Sequence, residues 1–186
     1  MLRREFLKMA AGSAAVPLFS IGGQVGGRKK IRLGLIGCGG RMGLGIGYGI
    51  LNNLCGPDEK IVCMAEPDPS HWDKVRAVVK HHQPAADSSK IRAFYDYREM
   101  LEKMGGEIDA VAIATPNHHH APAAILAMAK GLHVYVEKPM ALTVEEVRLM
   151  HAAQKKSGVA TQVGNHGHSD EGMRRLVEYI QSGALG

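Results

Sequence analysis

The sequence predicts an α/β fold built on a doubly wound parallel sheet, and three features predict it. An apolar strand breaks into a glycine-rich turn at Gly37. Short apolar strands then alternate with helical segments along the rest of the chain. The residues able to do chemistry fall where those strands end, the edge of such a sheet at which ligands bind.

The first strand is Ile31-Arg32-Leu33-Gly34-Leu35-Ile36, and it runs into Gly37-Cys38-Gly39-Gly40-Arg41-Met42-Gly43, four glycines in seven residues. A strand that ends in such a turn before a helix presents backbone N–H groups and a positive helix end to a pyrophosphate. Gly37 permits the tight turn, and Gly39 leaves no Cβ between backbone and phosphates. Against G-x-G-x-x-G, Met42 holds the third glycine's place and Gly43 comes one residue late. A helix is expected over Met42 to Leu54, weakened by Gly43, Gly45, Gly47 and Gly49.

Lys60 to Ala65 reads as the second strand, closed by Glu66-Pro67-Asp68-Pro69. An acidic residue at that strand end is where a Rossmann unit holds the adenine ribose hydroxyls. Glu66 lies 27 residues beyond Gly39, a distance that the loop from Asn52 to Glu59 accounts for. No Arg or Lys occurs between Pro67 and Trp72 to attract a 2′-phosphate, so NAD is expected over NADP.

Ser70 is expected to cap a helix running to about His82, followed by a polar loop from Gln83 to Ser89 and a short strand from Ile91 to Phe94. A helix follows over Tyr97 to Met104, then a buried strand from Asp109 to Ala114 that ends at Thr115-Pro116-Asn117. An Ala-rich helix from Ala121 to Lys130 stops at Gly131, and His133 to Val136 is the next strand, ending in Glu137-Lys138-Pro139. Thr143-x-x-Glu146 is a capping box that opens a helix to about Ser157. Val159 to Val163 completes the strands, and Glu171 to Ser182 forms a last helix.

The candidate residues therefore gather at one edge: Gly37 to Gly43, Glu66, Thr115 to His120, and Glu137 to Pro139. Lys138 follows a buried strand directly. Partial desolvation there favours its neutral form and Glu137 its charged one. Beside a nicotinamide it would donate a hydrogen bond to a substrate oxygen and stabilise developing negative charge. The adjacent His118, His119 and His120 point in different directions and do not converge on one ion, so no metal is assigned. His120 could face cofactor or substrate, and His166 and His168 follow the last strand near the same mouth.

Composition is ordinary for a globular chain, 45% hydrophobic and 22% charged. The net charge of +5 resides in residues 1–30, where Arg3, Arg4, Lys8, Arg28, Lys29 and Lys30 stand against Glu5. The rest of the chain holds 17 basic and 17 acidic residues out of totals of 23 and 18. The folded part is neutral, and with aromatics at 5% it offers no nucleic-acid surface. Cys38, Cys55 and Cys63 lack metal spacing and lie in apolar segments as core thiols, with no disulfide framework implied.

Residues 1–30 read as a signal and tether ahead of a single domain over residues 31–186. Arg3-Arg4-Glu5-Phe6-Leu7-Lys8 resembles the twin-arginine export signal, departing at Leu2, and the apolar run Met9 to Ile21 is short for a membrane span. Export through the twin-arginine machinery to the periplasm is the expectation.

The segments GLIGCGG, AEPDP, DAVAIATPNHHHAP, GLHVYVEKPMALTVEE and TQVGNHGHS together resemble the Gfo/Idh/MocA oxidoreductases across Ile31 to Gly186. That resemblance implies a nicotinamide-dependent oxidoreductase acting on a sugar or polyol. It makes Lys138 the catalytic lysine of the EKP motif and places Thr115, Pro116, Asn117, His120 and Glu137 at the nicotinamide half of the cofactor. With Gly37, Gly39, Gly40, Arg41, Met42, Glu66 and Pro139 these form the expected cofactor-binding set. The family continues into a second α/β domain bearing Asp and His partners of the lysine, and this sequence stops at Ala184-Leu185-Gly186, where that domain would begin. An N-terminal portion, inactive alone, of a homo-oligomeric protein is the expectation. Alternatives are an NAD-dependent glycoside hydrolase, in which transient oxidation activates elimination, and a non-catalytic nucleotide-binding module.

Overall fold

A computed structural model describes residues 30–43, 49–165 and 170–184. Arg3 to Lys8, on which the expected export signal rests, and His166 and His168 lie outside the described residues. Six strands form one sheet: β1 (Ile31–Ile36), β2 (Glu59–Ala65), β3 (Arg92–Phe94), β4 (Ala110–Ile113), β5 (His133–Glu137) and β6 (Thr161–Gly164). Their order is β3-β2-β1-β4-β5-β6, and every pairing is parallel. The order reverses at β1, so a crevice opens between the ends of β1 and β4.

Strand alternation supplies two cores. Leu33 and Leu35 face one layer with Met64 and Ile61, covered by α1 (Trp72–His82) through Val75, Val78 and Val79. Ile36, Val111, Ile113, Val134 and Val136 face the other. There they meet α2 (Tyr97–Met104), α3 (His120–Ala129) and α4 (Val144–Ser157) through Met100, Leu101, Met104, Met128 and Met150. This is the doubly wound α/β architecture expected. α5 (Glu171–Gln181) buries none of its residues.

Local signals account for most boundaries. The Thr143 hydroxyl accepts from the Glu146 amide at 3.2 Å, and the Glu146 carboxylate accepts from the Thr143 amide at 2.9 Å, closing the capping box. Two expectations need correction. The helix expected over Met42 to Leu54 is not α-helical at its described residues: Gly43 (φ +85°) and Gly49 (φ +79°) take left-handed backbone and Ile50–Leu54 is a 3₁₀ turn, while residues 44–48 lie outside the described set. The cap before α1 is Asp68 rather than Ser70: its carboxylate accepts from the Ser70 amide at 2.9 Å, and Pro69 opens a 3₁₀ turn that runs into the helix.

Candidate dinucleotide-binding site

The crevice at the end of β1 is a cleft of about 600 Å³. Gly37, Gly39, Gly40 and Arg41 line it from the turn, Glu66 from β2, and Thr115 and Pro116 from β4. Gly37 is wedged at the switch point: its amide donates to Ala65 O at 2.9 Å, its φ is +78°, and a Cβ there would lie 2.7 Å from the Thr115 amide nitrogen. Only glycine fits. Gly40 has open space around it, so the backbone is accessible to a ligand.

Glu66 is buried, and its carboxylate is organised by the turn itself. One oxygen accepts from the Cys38 amide at 2.7 Å and the Gly39 amide at 3.2 Å; the other accepts from Asp68 N at 3.0 Å. The Trp72 indole donates to the Glu66 carbonyl at 3.1 Å, and His71 Nδ1 lies 3.7 Å from the carboxylate. The acid expected at the ribose thus also closes the first half of the glycine turn. Anion contacts are left to the exposed second half, Gly40 and Arg41.

At the far side Glu137 is 2% exposed, accepts from the Tyr135 hydroxyl at 2.9 Å and pairs with Arg41 Nε at 3.2 Å. Burial first, and then the bond to Glu137, push the Tyr135 phenol well above its ordinary range. Lys138 and Pro139 are exposed, joined by a cis peptide bond. The expected partial desolvation of Lys138 is therefore absent in this chain, because the strand ends one residue before it and no described element covers it.

His120 is the other correction. Its ring is 1% exposed, with Nδ1 2.6 Å from Pro139 O and Nε2 2.9 Å from Thr115 O. It touches the site through those two carbonyls and has no edge free for a cofactor. Met42 is likewise fully buried, its side chain part of the core and not of the cleft wall. Asn117 is exposed on the 3₁₀ turn after β4. His118 and His119 are exposed, and among the described residues no three His, Cys, Asp or Glu are placed to hold a metal.

The cleft also contains residues that sequence reasoning missed. Tyr95, Asp96, Tyr97 and Arg98 form its wall beyond β3, and His119 approaches the Tyr97 hydroxyl at 3.4 Å. The signal available was the one used elsewhere, that residues just past a parallel strand line the ligand edge.

These features fit a dinucleotide. Thr115 Oγ1 is buried with no hydrogen-bond partner among the described residues, and it belongs to the cleft wall. The turn offers backbone unobstructed at Gly40, and Glu66 supplies a carboxylate at the second strand's end.

Fold and site together define a dinucleotide-binding Rossmann domain. Residues 31–165 match the Gfo/Idh/MocA oxidoreductase family, NAD-binding Rossmann fold, and the chain belongs to that family. It is 31% identical over 164 residues to a glycosyl hydrolase family 109 protein of Shewanella woodyi, covering 85% of this chain and 32% of that protein. It is 32% identical over 148 residues to the scyllo-inositol 2-dehydrogenase (NAD(+)) of Bacillus subtilis, covering 78% and 40%. Among solved structures, the WlbA dehydrogenase of Bordetella pertussis in complex with NADH and UDP-GlcNAcA superposes with a TM-score of 0.67 at 28% identity, covering 85% of this chain and 44% of that one. The chain thus spans about a third to two fifths of the length of these two curated relatives.

Proposed function

We propose that this chain is the cofactor-binding part of a nicotinamide-dependent oxidoreductase that acts on a sugar or polyol. The observation that carries the reading is the convergence at one sheet edge of the Gly37–Arg41 turn, the buried Glu66 carboxylate, the unpartnered Thr115 hydroxyl and Lys138. Gly40 and Arg41 would face the pyrophosphate, Glu66 the adenine ribose, and Thr115 to Asn117 with Lys138 and Pro139 the nicotinamide end. NAD, when bound, supplies the acceptor for a hydride. Lys138 would hold the substrate oxygen and pass its proton. In a protein carrying the complete catalytic centre, Lys138→Ala should lower turnover by roughly 10²-fold or more while NAD affinity stays nearly constant. Near-normal turnover would defeat the assignment.

A second reading is oxidation-assisted cleavage of a glycosidic bond, with NAD returned to its starting state in each cycle. Its support is the relative named a glycosyl hydrolase family 109 protein. Assaying release of a chromogenic leaving group against net NADH formation separates the two.

We further propose export by the twin-arginine route, supported by Arg3-Arg4-Glu5-Phe6-Leu7-Lys8. Folded export would carry NAD along, and retention would then be needed outside the cytoplasm. Protein purified from the periplasm, dialysed and denatured should release near-stoichiometric NAD; an empty protein, or one confined to the cytoplasm, would sink the proposal.

A further inference from the structure

Glu137 stands directly before Lys138, yet its carboxylate turns away from the lysine and into the fold. It is 2% exposed, takes the Tyr135 hydroxyl on one oxygen at 2.9 Å and meets Arg41 Nε with the other at 3.2 Å. Gly164 at the end of β6 makes room for this arrangement, since a Cβ there would collide with the Tyr135 hydroxyl and the Glu137 carboxylate. The Arg41–Glu137 pair spans from the turn after β1 to the end of β5, across β4, which lies between them. Its Arg41 end lines the crevice in which the diphosphate of a dinucleotide would lie.

A buried carboxylate beside a diphosphate site is unfavourable unless a cation stands between them. Arg41 is that cation. A guanidinium carries five N–H donors in a planar fork. Here Nε lies 3.2 Å from Glu137 Oε2 as an ion pair without hydrogen-bond alignment, the side chain is 48% exposed, and the residue lines the cleft. A guanidinium approached by a carboxylate at Nε keeps its outer nitrogens as a pair, the geometry that grips phosphate oxygens two at a time.

We propose that Glu137 is a positioning residue which holds Arg41 so that its guanidinium grips the diphosphate of the bound dinucleotide, tying phosphate binding at the glycine turn to the segment that carries Lys138. This rests on the NAD reading above. It gives Glu137 a role through Arg41 and not through contact with the nicotinamide.

The test uses the full chain and two probes, ADP and adenosine, titrated by calorimetry, with NAD binding to the wild type as the reference. Arg41→Ala should weaken ADP roughly tenfold or more and leave adenosine within about twofold. Glu137→Gln should weaken ADP by about three- to tenfold, again sparing adenosine, and should have no further effect on ADP in the Arg41→Ala background. The salt dependence of ADP binding should flatten in Arg41→Ala. Should Glu137→Gln fail to fold, Tyr135→Phe removes one bond from the same carboxylate and should reproduce the ADP-selective loss at about twofold. Unchanged ADP affinity in Arg41→Ala, with the wild type binding ADP and NAD, overturns the proposal alone. Equal loss of ADP and adenosine in Glu137→Gln shows a merely structural role and overturns it too. A wild-type chain that binds neither ADP nor NAD overturns both this proposal and the NAD reading.

Discussion

The imidazole of His120 holds the carbonyl oxygen of Pro139 at 2.6 Å while its other nitrogen faces Thr115 O at 2.9 Å, sealed from solvent at 1% exposure. One side chain at the start of α3 thereby joins the loop after β4 to the loop after β5. His120→Phe keeps a flat ring but removes the imidazole N–H, so the part-buried carbonyl that receives it loses its donor. A stability loss of about 2 kcal/mol is expected, read from the urea midpoint. A loss under about 0.5 kcal/mol would show that the brace contributes nothing.

Gly37 and Gly40 make opposite predictions within one turn. Alanine at Gly37 would need left-handed backbone and would drive its Cβ to 2.7 Å from the Thr115 nitrogen, whereas at Gly40 it would meet nothing. Gly37→Ala should cost about 3 kcal/mol and Gly40→Ala about 0.5 kcal/mol or less, measured by thermal unfolding. NAD affinity separates them differently, because Gly40 is where the backbone is open to the ligand.

In the proposed reading Glu66 combines cofactor choice with loop structure, and two substitutions divide these roles. Glu66→Gln removes the charge that repels a 2′-phosphate and keeps one oxygen for the Cys38 and Gly39 amides, but sets its NH2 against the Asp68 amide that the other oxygen accepts from. The ratio of NAD to NADP affinity should fall by roughly tenfold, with a stability loss of about 1 kcal/mol. Glu66→Ala should lower the ratio as well, and should destabilise the fold by about 2 kcal/mol because those amides lose their partner. Tighter NADP than NAD binding by the wild type would refute the assignment.

The three cysteines are buried free thiols, and burial raises each pKa: Cys55 to about 11, Cys63 to about 12 and Cys38 higher still. The thiolate is the reactive form, so at neutral pH all three should resist a disulfide reagent in the native state. All three should react once the chain is unfolded in urea. Rapid native labelling would show that a layer of the fold opens readily.

The extent to which the site was legible follows from how local each signal is. The helix Tyr97–Met104 lies where the sequence places it, because Asp96 caps it through Arg98 N at 2.8 Å and its apolar residues recur on one face. The expected helix is missing at Gly43 and over Gly49 to Leu54 because glycine permits helix and left-handed turn alike, and the neighbours decide between them. Lys138 was expected to be desolvated from its place after a buried strand. Its exposure depends on what packs over the strand end, which strand pattern does not encode.

By itself the sequence determined the parallel α/β alternation, the edge at which the site lies, and the residue types on that edge, since periodicity, caps and turn chemistry act over a few residues. Only the tertiary structure decided how those residues use their donors and acceptors. Glu66 reaches back 28 positions to the Cys38 amide, His120 braces Pro139 19 positions ahead, and Arg41 meets Glu137 from the far side of β4. These partners become neighbours only when the strand order reverses at β1, and a buried polar group takes the partner that the assembled sheet puts within its reach.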